Sequence, residues 1–210
     1  MAEKGFLDSV YAISDVRDTR QLYDRWAASY NREIKANGYV TPRRCATALA
    51  ELAGDHDAPL LDIGCGTGIS GMAMAAVGFS VIDGCDLSAA MLEKAARHDR
   101  LYRQLWQVDP DNPLDFAPED YRYISAVGVI ASGHAPAATI GAVLEKLPSN
   151  GLFVFSLNDH TLEDAAFEAE IDRLVAEGMA AIRYRDYGDH LPGIGLKSLV
   201  IILERLASTN

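Results

Sequence analysis

Cysteine is scarce in this 210-residue chain: Cys45, Cys65 and Cys85 are the three present, with no CxxC pair and no Cys/His ligand spacing. An odd, unpatterned set supports neither a disulfide framework nor a structural zinc site and fits a reducing cytoplasm; with no carboxylate set for a magnesium site either, no metal is expected. Basic residues are also few, 19 against 30 acidic ones, leaving a formal net charge of −11 at pH 7 with histidine neutral. Broad nucleic-acid binding needs a basic footprint to displace phosphate counterions, so no nucleic-acid partner is expected. Long apolar runs are missing as well. The most apolar stretch, Gly71 to Ile82, is broken by Gly78 and falls short of a bilayer span. Met1-Ala-Glu-Lys-Gly lacks the basic start and apolar run of a signal peptide, so a soluble cytoplasmic protein without a membrane partner is expected. Proline is sparse, at 8 residues, and no repeat, low-complexity tract or linker marks a domain boundary. What remains, 49% hydrophobic and 23% charged, is the composition of about one packed domain with perhaps an appended segment.

The chain alternates helix and strand. Leu22, Trp26 and Tyr30 stand at helical spacing in a mixed opening that reads as a helical preface. Thr41-Pro42 predicts an N-cap with proline at the first helical position, and Gly54 a stop, for a helix over 42–53. The buried run Pro59 to Ile63 is a strand, Ile69 to Val77 its helix, Phe79 to Cys85 a second strand, and Ser88 the cap of a second helix. Strands are predicted at Leu105 to Val108, Tyr123 to Ile130 and Leu152 to Leu157, with a helix opened by Pro136 and another from the capping box Thr161-Leu-Glu-Asp164 to about Gly178. Ala181 to Tyr187 and Lys197 to Leu203 are joined by too few residues for a crossover helix, so they form an antiparallel hairpin. Five β/α alternations predict a mostly parallel sheet covered on both faces.

Between the first strand and its helix lies Asp62-Ile-Gly64-Cys65-Gly66-Thr-Gly68-Ile-Ser-Gly71. Glycines there permit tight turns and let a ligand approach the backbone, which makes the loop a cofactor cradle. Gly66-x-Gly68-x-x-Gly71 matches the dinucleotide fingerprint, and Asp86 lies at the distance expected of a ribose-binding acid. Spacing alone therefore leaves a nicotinamide-dependent oxidoreductase open.

The wider pattern resembles another family. Asp62-x-Gly64-x-Gly66-x-Gly68 is similar to the first motif of class I S-adenosylmethionine-dependent methyltransferases, and Gly84-Cys-Asp86-Leu87-Ser88-Ala-Ala-Met91 to their second. A carboxylate presents two oxygens to a vicinal diol, the physical reason for an acid at the ribose. Val108-Asp109 matches the family's acidic position near the adenine amine, and the terminal hairpin its antiparallel last strand. Tyr23-Asp-Arg-Trp26-Ala-Ala-Ser-Tyr30 resembles a frequent opening segment whose last tyrosine packs on the cofactor. This opening, Leu101-Tyr102-Arg-Gln and Gly133-His134-x-Pro136 resemble the methyltransferase-like branch represented in the Williams–Beuren syndrome region. Two scaffold positions depart from the family: Tyr121-Arg122 before the fourth strand and Leu147-Pro148-Ser-Asn-Gly151 before the fifth.

The resemblance implies a Rossmann-like three-layer αβα sandwich with a seven-stranded, mostly parallel sheet and an antiparallel last strand. Residues 1–40 would be a helical cover and 41–210 the S-adenosylmethionine-binding domain. Its cofactor residues would be Tyr30, Asp62, Gly64, Cys65, Gly66, Gly68, Asp86, Leu87, Met91, Asp109 and His134, with S-adenosylhomocysteine as product. The expected reaction is in-line methyl transfer to a small-molecule nucleophile, with no catalytic residue identified. The sulfonium is already activated, so orientation and water exclusion matter more than a catalytic group. A non-enzymatic S-adenosylmethionine-binding module stays open. So do bland readings of single residues: Asp109 as a turn cap, Trp26 as core, His134 as a surface residue, and Asp159-His160 as a capping turn instead of an oriented base.

Overall fold

The computed structural model describes Asp24 and residues 29–131 and 135–207. Helix α1 (Tyr30–Ala36) precedes α2 (Thr41–Leu52). Then β1 (Leu60–Ile63), α3 (Ile69–Ala76), β2 (Ile82–Asp86), α4 (Ala89–Ala95), β3 (Gln104–Gln107), β4 (Tyr123–Ala126), α5 (Ala138–Lys146) and β5 (Leu152–Asn158) follow. The chain continues through a short α6 (Asp159–Leu162), α7 (Ala166–Ala176), β6 (Ala180–Leu191), a 3-10 turn (Pro192–Ile194) and β7 (Leu196–Arg205).

The strands lie in the order β3-β2-β1-β4-β5-β7-β6. The first five are parallel, while β7 inserts antiparallel to both β5 and β6, as a tight hairpin connection requires. Successive strand residues point to opposite faces, and this alternation sorts the core into two layers. Leu60, Val154, Val200 and Ile202 join Cys45 and Leu49 of α2 and Met74 of α3 on one face. Leu61, Phe153, Phe155 and Ile201 join Leu144 of α5 and Ile171 and Leu174 of α7 on the other. Each such buried side chain contributes about 1.5–3 kcal/mol of transfer free energy. The result is the expected three-layer αβα sandwich, with the carboxyl ends of β1, β2 and β4 along one edge.

Local differences from the sequence-based expectation each follow from a specific hydrogen bond. Thr41 is the first helical residue of α2 and not its cap. Its hydroxyl is drawn instead to His190 Nδ1 at 2.8 Å and Ser198 Oγ at 3.1 Å. Strand β4 stops at Ala126, because Gly128 turns away with φ +72° and donates its N–H to Ser156 Oγ at 2.9 Å. The capping box at Thr161 does not form. Asn158 caps α6 by accepting both the N–H and the hydroxyl of Thr161, each at 3.0 Å, and the chain breaks before α7. Asp159 is engaged by Tyr187 Oη at 2.6 Å and the Lys197 N–H at 2.9 Å, which ties it to the terminal hairpin.

The buried His190 makes stability depend on pH. Burial, reinforced by the Arg44 charge, lowers its pKa from 6.5 to about 4. Between those values the unfolded chain holds a proton that the folded one refuses. The contribution is therefore fully present above about pH 6.5 and lost on acidification through pH 4, amounting to about 3 kcal/mol. Urea unfolding of His190→Asn across this range should show a flatter acid limb than the parent; identical limbs would assign the acid sensitivity elsewhere.

Candidate cofactor site

The loop that leaves β1 makes two left-handed turns, at Gly64 (φ +63°) and Gly66 (φ +55°), for different reasons. A Cβ at Gly64 would stand 2.4 Å from Val129 Cγ2, so the protein's own packing demands glycine there. A Cβ at Gly66 would meet only the Gly64 carbonyl oxygen, at 4.0 Å. Gly66 therefore leaves an open cradle.

Asp86 ends β2 beside this cradle. Its Oδ2 accepts the Gly66 N–H at 2.9 Å and its Oδ1 accepts the Ser88 N–H at 2.8 Å. Each carboxylate oxygen can accept a further donor, so the pair can still receive two hydroxyls. Burial pushes the Asp86 pKa up, opposed by the Ser88 and Gly66 amides, and the Asp24 charge adds to the rise. Ser88 caps α4 as the sequence predicts, accepting the Met91 N–H at 3.2 Å, and it donates its hydroxyl to Asp24 Oδ1 at 2.5 Å. Thr67 donates its hydroxyl to Asn31 Oδ1 at 2.6 Å, which docks α1 on the glycine loop.

Above the loop and Asp86 opens a cavity of about 370 Å³, within the range of small-molecule sites. Tyr30, Gly64, Gly66, Asp86, Leu87 and Met91 all line it. Cys65 lines an adjoining crevice of about 30 Å³, shared with Tyr30, Gly64 and Gly66. Gly68 caps α3 with φ +93°, set against His98. Asp62 is fully buried beneath the loop, where Ser70, Tyr102 and Ser125 donate hydroxyls to it. Asp109 is exposed, and its Oδ1 accepts the Asp111 N–H at 2.9 Å in a turn; its neighbours Val108 and Pro110 face the cavity. His134, like Trp26, lies outside the described residues.

The sequence reading missed much of the apolar wall: Val108, Leu114, Val127 to Ile130, Thr139 and Val143. Reading Tyr123 to Ile130 as one strand hid half of it. The glycine at 128 was the available signal.

The third glycine of the apparent dinucleotide fingerprint has an internal purpose. A Cβ at Gly71 would fall 2.3 Å from the Tyr102 hydroxyl, so this glycine makes room for a phenol ring. Among the described residues, the cavity wall holds no lysine or arginine for a pyrophosphate. A nicotinamide dinucleotide is not favoured.

A mostly parallel sheet with this glycine loop, an acid at the end of the second strand and an antiparallel last strand fits the class I S-adenosylmethionine-dependent methyltransferases. A family model described as "Methyltransferase domain" matches residues 36–206. Methyltransferase-like protein 27 of Homo sapiens is 30% identical over 176 residues, covering 81% of this chain and 71% of that protein. The chain belongs to this methyltransferase family, with S-adenosylmethionine as its cofactor.

Solved structures share the fold at lower identity. A chain of the Haloferax volcanii complex between the Trm112 methyltransferase activator and a methyltransferase superposes with a TM-score of 0.69 at 15% identity, covering 91% of this chain and 99% of that one. The [4+2]-cyclase SpnF superposes with a TM-score of 0.67 at 14% identity, covering 93% and 98%. Among the described residues no helix is long and apolar enough to cross a membrane.

Proposed function

We propose that the cavity over Gly66 takes S-adenosylmethionine, with the ribose hydroxyls on Asp86, and that the methyl group passes to a small-molecule nucleophile. The observation that carries the reading is the Asp86 carboxylate, aimed by the Gly66 and Ser88 amides while facing a cavity that the Gly66 cradle extends. When bound, the cofactor supplies an activated sulfonium methyl for in-line displacement. Leu87 and Met91 then offer apolar surface next to the ribose, and Tyr30 closes the side where α1 docks. The cationic cofactor also suits a site lined by Asp86, with Asp24 beside it and Asp62 beneath the loop, within a chain of net charge −11.

Asp62 enters this reading as a group beneath the loop, Cys65 and Gly68 as parts of the turn itself, and Asp109 through the turn that places Val108 and Pro110. Residues 1–40 act as a cover, held at Asp24 by Ser88 and at Asn31 by Thr67. Among the described residues lining the cavity, only tyrosine, cysteine and aspartate side chains titrate, so the chain contributes placement and water exclusion more than proton transfer. The three free thiols are all buried, which suits a reducing cytoplasm.

Titration calorimetry should show S-adenosylmethionine and S-adenosylhomocysteine binding at micromolar affinity, about −8 kcal/mol, with no heat from NAD. NAD binding without a signal from either adenosyl compound would overturn the assignment.

A further inference from the structure

Tyr102 stands outside both cavities, in the connection between α4 and β3, yet it reaches under the glycine loop. Its hydroxyl donates to Asp62 Oδ2 at 2.9 Å. Its ring fills space that two glycines vacate: a Cβ at Gly71 of α3 would fall 2.3 Å from the phenol oxygen, and one at Gly84 of β2 would fall 2.8 Å from Cε1. The ring is thus wedged between the helix that follows the loop and the strand that carries Asp86.

Asp62 gathers two further hydroxyls. Ser70, in the first turn of α3, donates to Oδ2 at 2.6 Å, and Ser125 of β4 donates to Oδ1 at 2.8 Å. The carboxylate is fully buried, and among the described residues no cation pairs with it. Among the described residues its charge is met by hydroxyl donors, one each from α3, β4 and the connection between α4 and β3. Removing one donor from such a set both loosens the element that carried it and disfavours the ionised form.

We infer that Tyr102 is a positioning residue for the cofactor: through Asp62 it holds the glycine loop and α3 in the binding path, without touching the ligand. The inference rests on the reading that this loop binds S-adenosylmethionine. It makes affinity depend on the protonation of Asp62, because a protonated carboxyl offers fewer acceptor sites and redirects one of the three hydroxyls.

Burial raises the Asp62 pKa to about 6, against the lowering effect of the Ser70, Ser125 and Tyr102 hydroxyls. The other titratable groups facing it are Asp86 at the end of β2, Cys65 in the loop, Cys85 on β2 and Cys45 on α2. Burial pushes the three thiols upward, so they stay neutral through this range, and Tyr102 is likewise raised. Burial pushes the Asp86 carboxyl upward as well, and the two acids are separated because the Tyr102 hydroxyl donates to Asp62 and not to Asp86.

The test is calorimetric binding of S-adenosylhomocysteine to Tyr102→Phe and to the parent from about pH 5 to 8, well below the unfolding temperature. Phenylalanine keeps the wedge and deletes only the donor. The expected result is about tenfold weaker binding at neutral pH, with the acid fall in affinity moved to higher pH, since Asp62 has lost a donor to its anion. A purely structural role would lower the melting temperature and leave the pH profile in place. Should Tyr102→Phe fail to fold, Ser125→Ala removes another donor to the same carboxylate and is expected to shift the profile in the same direction. Parental affinity and an unmoved profile in the folded variant overturn the role of Tyr102 alone. Failure of the parent to bind S-adenosylhomocysteine overturns the cofactor reading and this inference with it.

Discussion

Asp86→Ala is expected to weaken S-adenosylhomocysteine binding by about 1.5–3 kcal/mol, the scale of hydrogen bonds to a charged group, or about 10- to 150-fold. Alanine removes the carboxylate that we propose accepts two ribose hydroxyls. It also strands the Gly66 and Ser88 amides, which now donate to the carboxylate at 2.9 and 2.8 Å, so the cradle loses its own brace. Asp86→Asn keeps one acceptor oxygen and should lose less. Calorimetry on variants shown to be folded by circular dichroism checks both. An unchanged affinity in folded Asp86→Ala would place the ribose elsewhere.

Neighbouring glycines should separate folding from binding. Gly64→Ala forces a side chain into the left-handed region, costing about 1–2 kcal/mol, and drives its Cβ against Val129 Cγ2, which adds about 1–3 kcal/mol of overpacking. Against a total stability of about 5–15 kcal/mol for a domain, that is a large loss in urea unfolding. Adding Val129→Ala should recover the steric part and leave the backbone part. Gly66→Ala meets no such neighbour, so its stability cost should stop at about 1–2 kcal/mol of backbone strain. Its methyl group instead enters the cradle, and affinity for S-adenosylhomocysteine should fall at least about tenfold, with the ligand obstructed at its closest approach to the backbone. Equal stability losses for the two variants would show that Gly66 is also packed against the protein.

The parts of the site visible in the sequence are those that local chain geometry encodes. Gly64 and Gly66 announce a turn, Ser88 announces a helix start, and Asp86 at the end of a strand announces an acceptor at the sheet edge. Each depends on residues a few positions away. Where the structure departs from that pattern, another partner, near or far along the chain, has claimed the same group. Thr41 looks like a cap until His190 and Ser198 take its hydroxyl. Thr161 looks like a cap until Asn158 accepts from it. At Asp109, where the sequence leaves a turn cap and an adenine contact both open, the side chain accepts the Asp111 amide in a turn.

By itself the sequence determined the alternation of strands and helices, the antiparallel ending and the glycine loop with its acid, because apolar period, turn chemistry and capping act over one turn of chain. Only the tertiary structure decided what Asp62 is. Its three partners stand 8, 40 and 63 residues away along the chain, and no local pattern joins them. The same holds for the cavity wall at Val127 to Ile130, which reads as strand by its side chains. It leaves the sheet because Gly128 donates to Ser156 on the neighbouring strand, a contact that exists only once the sheet has formed.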